Sequence, residues 1–109
     1  MDQGYVQVTT TTDSQAEAGR LSRRMVEMRL AACAQVASPI RSTYWWEGAV
    51  EEADEWMIVF KTSGDRLAAL IEGIKGEHSY DVPDIVATPI VGGYDPYLGW
   101  ISEETHPAG

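Results

Sequence analysis

The chain carries one cysteine, Cys33, and two histidines, His78 and His106. A thiolate and an imidazole together suit copper, zinc or a similar divalent cation. The same pair within hydrogen-bond reach could instead form an activated nucleophile. Cys33 and His78 are far apart in sequence, and two ligands leave a coordination shell incomplete. Structural roles therefore stand beside the chemical ones: Cys33 as a small buried hydrophobe, His78 as a group that caps the end of a helix. His106 belongs to a C-terminal tail, His106-Pro107-Ala108-Gly109, that is expected to fray. Lys61-Thr62, at the end of an extended stretch, could hold an anion or present an ordinary surface charge. Glu47, Glu51, Glu52, Asp54 and Glu55 could gather hard cations, yet they lack the alternating ligands and glycine of a calcium loop. They read as a solvated hairpin end. Phosphate-binding and dinucleotide-binding glycine motifs, CxxC, HExxH and G-x-S-x-G are all missing from the sequence, so the expected protein is not an enzyme.

These residues sit in a chain of 109 residues, enough for one domain spanning 1–109 with a single core. A hydrophobic fraction of 44% with four tryptophans argues for a folded chain. No apolar run approaches the roughly 20 residues of a membrane span. The formal net charge of −9 disfavours nucleic acid and anionic membranes as partners and favours small cations. MDQGYVQVTT lacks the basic start and apolar stretch of a secretory signal, and a lone cysteine suits a reducing compartment. The expected location is the cytoplasm.

The elements that must position these groups follow from periodicity. YVQVTTTT (5–12) alternates as a strand. Ser14 and Glu17 have the spacing of a capping box, and Leu21, Met25 and Met28 continue a helix to about Leu30. From Ala31 to Thr62, two extended arms around Glu47-Gly48 predict a long hairpin. Gly64-Asp65 opens a second helix through Leu67, Leu70, Ile71 and Ile74, stopped at Gly76. DIVATPIV (84–91) is a fourth strand, and Asp95-Pro96 predicts an N-cap for a short terminal helix through Tyr97, Leu98, Trp100 and Ile101. The order is βαββαβ plus a helix: an α+β, ferredoxin-like antiparallel sheet with both main helices on one face. Its edges should be the second and fourth strands, where Pro39 and Pro89 are tolerated.

A sheet covered on one face should alternate, yet Trp56 to Phe60 is apolar without a break and Tyr44-Trp45-Trp46 cannot all enter one small core. A homo-oligomer with sheets packed inward accounts for the surplus. The competing explanation places the terminal helix over the second face.

Arg29-Leu30-Ala31-Ala32-Cys33, Tyr44-Trp45-Trp46-Glu47-Gly48, Lys61-Thr62, His78-Ser79-Tyr80-Asp81-Val82-Pro83 and Tyr97-Leu98-Gly99-Trp100-Ile101 occur in this order. With them the chain closely resembles the CutA-type divalent-cation tolerance proteins over nearly its whole length. The resemblance implies a ferredoxin-like subunit in a tight homotrimer, similar in architecture to PII-type signalling trimers, that binds copper or another divalent cation. A protein-anchoring role is attributed to animal members, and the protein partner here is unknown. By resemblance Cys33 and His78 match metal-linked positions, while Trp46, Glu47, Lys61, Tyr80, Tyr97 and Trp100 match a cleft between subunits. Ser79 stands where many members have proline, Glu77 where some carry a second histidine, and Ala49 where a basic residue is frequent.

Overall fold

A computed structural model describes residues 4–37 and 39–107. The elements are β1 (Tyr5–Thr12), α1 (Gln15–Glu27), β2 (Cys33–Val36), β3 (Ile40–Trp46), β4 (Ala49–Ser63), a 3-10 turn (Gly64–Arg66), α2 (Leu67–Glu77), β5 (Ile85–Ile90) and α3 (Asp95–Thr105). The sheet runs β2-β4-β1-β5, all antiparallel, with β3 also paired to β4. This is the expected order, with one correction. The first hairpin arm is two strands rather than one, and exposed Pro39 lies between them, not inside an edge strand. Proline has no N–H to continue a ladder. Pro89 does sit in edge strand β5, opposite Val6.

Alternation assigns the two faces. Val8, Ile58 and Phe60 point to one side, where Leu21 and Met25 of α1 and Leu70 and Ile74 of α2 complete a fully buried core. The helices meet closely at Gly73, where a Cβ would lie 2.9 Å from both Leu30 Cδ1 and Met25 Sδ. The opposite face carries Gln7 and Thr9 of β1, Val59 and Lys61 of β4, Cys33 and Gln35 of β2, and Val86 and Thr88 of β5. α3 crosses only one end of it. Tyr5 Oη and Ser102 Oγ are 2.8 Å apart, Ser63 Oγ lies 2.6 Å from Thr105 Oγ1, and Ile101 is fully buried there. The terminal helix thus covers part of the second face, while Val86 remains exposed.

The distal half of the hairpin projects from this body, and the molecule measures 48 × 26 × 24 Å. Glu47 and Gly48, between the paired Trp46 and Ala49, have φ of 49° and 82°. Two positive-φ residues form the type I′ loop that matches strand twist. Trp45 and Trp46 beside it are 75% and 60% exposed.

Helix ends decide where the loops go. Ser14 Oγ accepts the Glu17 N–H at 3.0 Å, the expected half of the capping box. The other half is absent, because the Glu17 carboxylate turns to Ser79 instead. At the far end Arg29 N–H donates to Val26 O and Leu30 N–H to Met25 O, a Schellman motif with Arg29 at φ 62°. An arginine occupies the glycine position, and its Nη1 reaches α3 at Glu104 Oε1 (2.7 Å) and Glu104 O (3.2 Å). Arg29→Ala keeps the backbone strain and loses these ties, whereas Arg29→Gly relieves the strain. The glycine variant is expected to be more stable than the alanine variant by about 1 kcal/mol, the reverse of a helix interior. Denaturant midpoints of the two proteins check this; equal midpoints would refute the left-handed assignment.

Three further boundaries differ from expectation. α2 begins after the 3-10 turn and runs through Gly76 to Glu77, with His78 as its C-cap. Tyr94, not Asp95, is the N-cap of α3; Asp95 lies in the first turn, where its charge suits the helix dipole. His106 is tied down rather than frayed: Nε2 donates to Asp65 Oδ2 at 2.7 Å and Nδ1 to Ser102 O at 3.0 Å. Ala108 and Gly109 lie outside the described residues. With both nitrogens donating, the imidazolium is favoured. The Asp65 hydrogen bond, then the Ser102 carbonyl, raise the His106 pKa above its ordinary 6.5. The stabilisation is complete below the unfolded pKa and lost as pH rises through the folded one. An NMR titration should find His106 above 6.5 and returning toward it in Asp65→Asn; an unchanged titration would refute the pairing.

Candidate functional site

The predicted site residues fall into three places. Cys33 begins β2 directly opposite Lys61 of β4, and α3 closes over both. Cys33 is partly exposed, with Sγ 3.5 Å from Tyr97 Oη. Lys61 Nζ donates to Gln35 Oε1 at 2.9 Å and stands 5.9 Å from the centre of the Tyr97 ring. Tyr97 stacks on Trp100 at 5.5 Å and 27°. The hydrogen bond with Cys33, then burial, raise the Tyr97 phenol above its ordinary 10.0. Beside Cys33 an open groove runs between α1 and β2, lined by Ser22, Arg23, Val26, Glu27, Ala32 and Ala34. One thiol, one phenol, one ammonium and a ring stack are therefore gathered at a sheet edge.

His78 and Tyr80 lie elsewhere, in the turn between α2 and β5. The His78 side chain is fully buried. Its Nε2 donates to Thr11 O at 2.8 Å, and its Nδ1 accepts the Tyr80 N–H at 3.0 Å. One donating and one accepting nitrogen define the neutral ring. Its lone pair is already engaged. Glu17, also buried, accepts from Ser79 N–H and Ser79 Oγ, each at 2.8 Å, and lies 3.8 Å from His78 Nδ1. The Tyr80 hydroxyl donates to Glu55 Oε2 at 2.8 Å, while its ring leans on His78 at 4.8 Å. Burial, with Glu55 in support, raises the Tyr80 phenol well above its usual range. Glu55 is thus a buried acceptor and not part of a solvated hairpin end.

Cys33 and His78 do not meet within the chain. Thr11, which holds His78, pairs with Met57, whereas Cys33 pairs with Lys61. Four residues of β4 at about 3.3 Å each place these positions about 13 Å apart along the strand. Among the described residues no group of three or more His, Cys, Asp or Glu side chains could hold a metal ion. Trp46 and Glu47 occupy the third place, the hairpin tip. Sequence reasoning missed Glu17 and Glu55 as buried acceptors. The capping-box spacing drew attention to Glu17, but for a local role.

The same sequence and shape occur in known proteins. The pattern of the CutA1 divalent ion tolerance protein family matches residues 6–104. "Divalent-cation tolerance protein CutA" of Archaeoglobus fulgidus is 41% identical over 93 residues, covering 85% of this chain and 90% of that one. "Protein CutA 1, chloroplastic" of rice is 41% identical over 99 residues, which are 90% of this chain but 56% of the rice protein. The chain thus spans little more than half of that relative. The crystal structure of the divalent cation tolerance protein CutA1 from Thermus thermophilus superposes with a TM-score of 0.90 at 37% identity, covering 94% of this chain and 99% of that one. Sequence match over almost the whole length and the shared antiparallel architecture lead to one conclusion: the chain belongs to the CutA1 divalent ion tolerance family.

Proposed function

We propose that this protein is a non-enzymatic cytoplasmic homotrimer that binds a copper or other divalent ion through Cys33 and contributes to metal tolerance. The tolerance role is supported by the names of its relatives. The observation that carries the site is the partly exposed Cys33 thiol at the open end of β2, beside the Tyr97 hydroxyl. A soft thiolate suits copper, and the chain's net charge of −9 attracts cations. One strong donor per chain leaves coordination to be completed by a neighbouring subunit or solvent. His78 serves this reading as an organiser of the turn, since Thr11 and Tyr80 engage both its nitrogens. The trimer is supported by Thr9, Val59 and Val86 on the sheet face that α3 leaves open, and by exposed Trp45 and Trp46.

Competition titrations with Cu(I), Cu(II) and Zn(II), with light scattering for assembly, test the proposal. Stoichiometric binding that falls by at least about tenfold, or about 1.4 kcal/mol, in Cys33→Ala with the trimer intact is the expected result. Wild-type affinity in that variant would overturn the site; no binding by the native trimer would overturn the ion-binding function.

A further inference from the structure

Lys61 is anomalous in a chain with 17 acidic and 8 basic residues. Among the described residues, Arg20, Arg23, Arg24, Arg29 and Arg41 each pair with a carboxylate, and Arg66 donates to the Thr105 carbonyl. Lys75 is exposed on α2. Lys61 is half-buried on the sheet face that α3 crosses, and its hydrogen-bond partner is the neutral Gln35 amide. A partly desolvated ammonium without a counter-charge favours an incoming anion. Of its three donors one is spent on Gln35. Because the Gln35 oxygen receives the lysine, the amide nitrogen keeps both of its own donors.

Aromatic surface adjoins these donors. The Tyr97 and Trp100 rings are stacked, about two-fifths exposed, and Lys61 Nζ lies 5.9 Å from the Tyr97 ring centre. The Cys33–Tyr97 contact of 3.5 Å holds the first ring in place. A few polar donors convergent on one side of an apolar platform are what a small-molecule site requires. A carboxylate on the Lys61 and Gln35 donors would leave its attached ring beside Trp100, where offset stacking is favourable. A single cation balances one negative charge. Phosphate would bring a second charge into a molecule already at −9, without an arginine fork or helix N-terminus to receive it.

We propose that Lys61, Gln35, Tyr97 and Trp100 form a binding site for small planar, singly charged carboxylates, with an aromatic acid as the fitting class. The site is separate in its chemistry from ion binding at Cys33 and does not depend on it.

The test is a nitrogen-15 NMR titration of the full chain with sodium benzoate, beside neutral benzamide and inorganic phosphate. Benzoate is expected to give saturable shifts at the Lys61 and Gln35 amides and at the Trp100 indole. Benzamide and phosphate should bind at least about tenfold more weakly, and Lys61→Met should weaken benzoate by about the same factor. Lys61→Gln, closer in polarity, carries the comparison if the methionine variant assembles poorly. Trp100→Leu should weaken benzoate but not change the preference for charge. Absence of saturable shifts, equal binding of benzamide or phosphate, or wild-type benzoate affinity in both lysine variants would overturn the proposal. Metal titrations of Lys61→Gln keep the two readings distinguishable, because wild-type ion affinity is expected there whatever happens to benzoate.

Discussion

Replacing His78 with alanine is expected to remove about 3–5 kcal/mol of stability, a large share of the roughly 5–15 kcal/mol that holds a domain together. Two effects add. The buried ring leaves a cavity against Tyr80, whose own ring stands 4.8 Å away. Its removal also leaves Thr11 O and Tyr80 N–H without their partners, and an unmet buried backbone group costs about 1–3 kcal/mol. His78→Gln should recover part of the loss, because an amide offers one donor and one acceptor as the neutral ring does. Urea unfolding at fixed protein concentration reads both variants. If His78→Ala were as stable as the native protein, the ring would not hold the turn and a ligand role would become the better reading. The contrast with Cys33 is direct: that thiol is partly exposed, and its variant should change ion affinity with little change in midpoint.

Glu17→Ala is the second large loss, expected at about 2–4 kcal/mol. Glu17 is a buried carboxylate that accepts two hydrogen bonds from Ser79, one from the backbone and one from the hydroxyl. Arg20 approaches it at 3.9 Å from the exposed side. Truncation strands the Ser79 N–H inside the turn and frees the segment that carries Tyr80 to Glu55. Glu17→Gln keeps the shape but points an amide donor at two donors, so it should fall between the native protein and the alanine variant. Hydrogen exchange at the Ser79 amide provides a local check. Protection there should drop in both variants; unchanged protection would show that the carboxylate does not anchor the turn. The helix start itself should survive, since Ser14 still caps Glu17 N–H.

Much of this architecture is legible in the sequence because periodicity reports which face of an element is buried. Alternation in 5–12 and the apolar spacing from Leu21 to Met25 give β1 and α1, and Glu47-Gly48 marks the hairpin tip. The order of elements then restricts the sheet to few topologies, and the recurring short motifs point to the family. Residue types alone also single out Cys33, Lys61 and Tyr97 as groups able to do chemistry. What they cannot specify is company. The capping-box spacing finds Glu17 but not Ser79, which lies 62 positions away, and nothing local distinguishes buried Glu55 from its exposed acidic neighbours. His106 reads as a tail until the docking of α3 brings it to Asp65. His78 reads equally as a ligand or a cap until the fold sets Thr11 O on one nitrogen and Tyr80 N–H on the other. Local sequence determined the elements and their apolar faces, because propensity and burial act residue by residue along the chain. The tertiary structure alone decided which polar groups are spent within the fold and which, like Cys33 and Lys61, remain open to a ligand, because hydrogen-bond partners are assigned only when distant segments pack together.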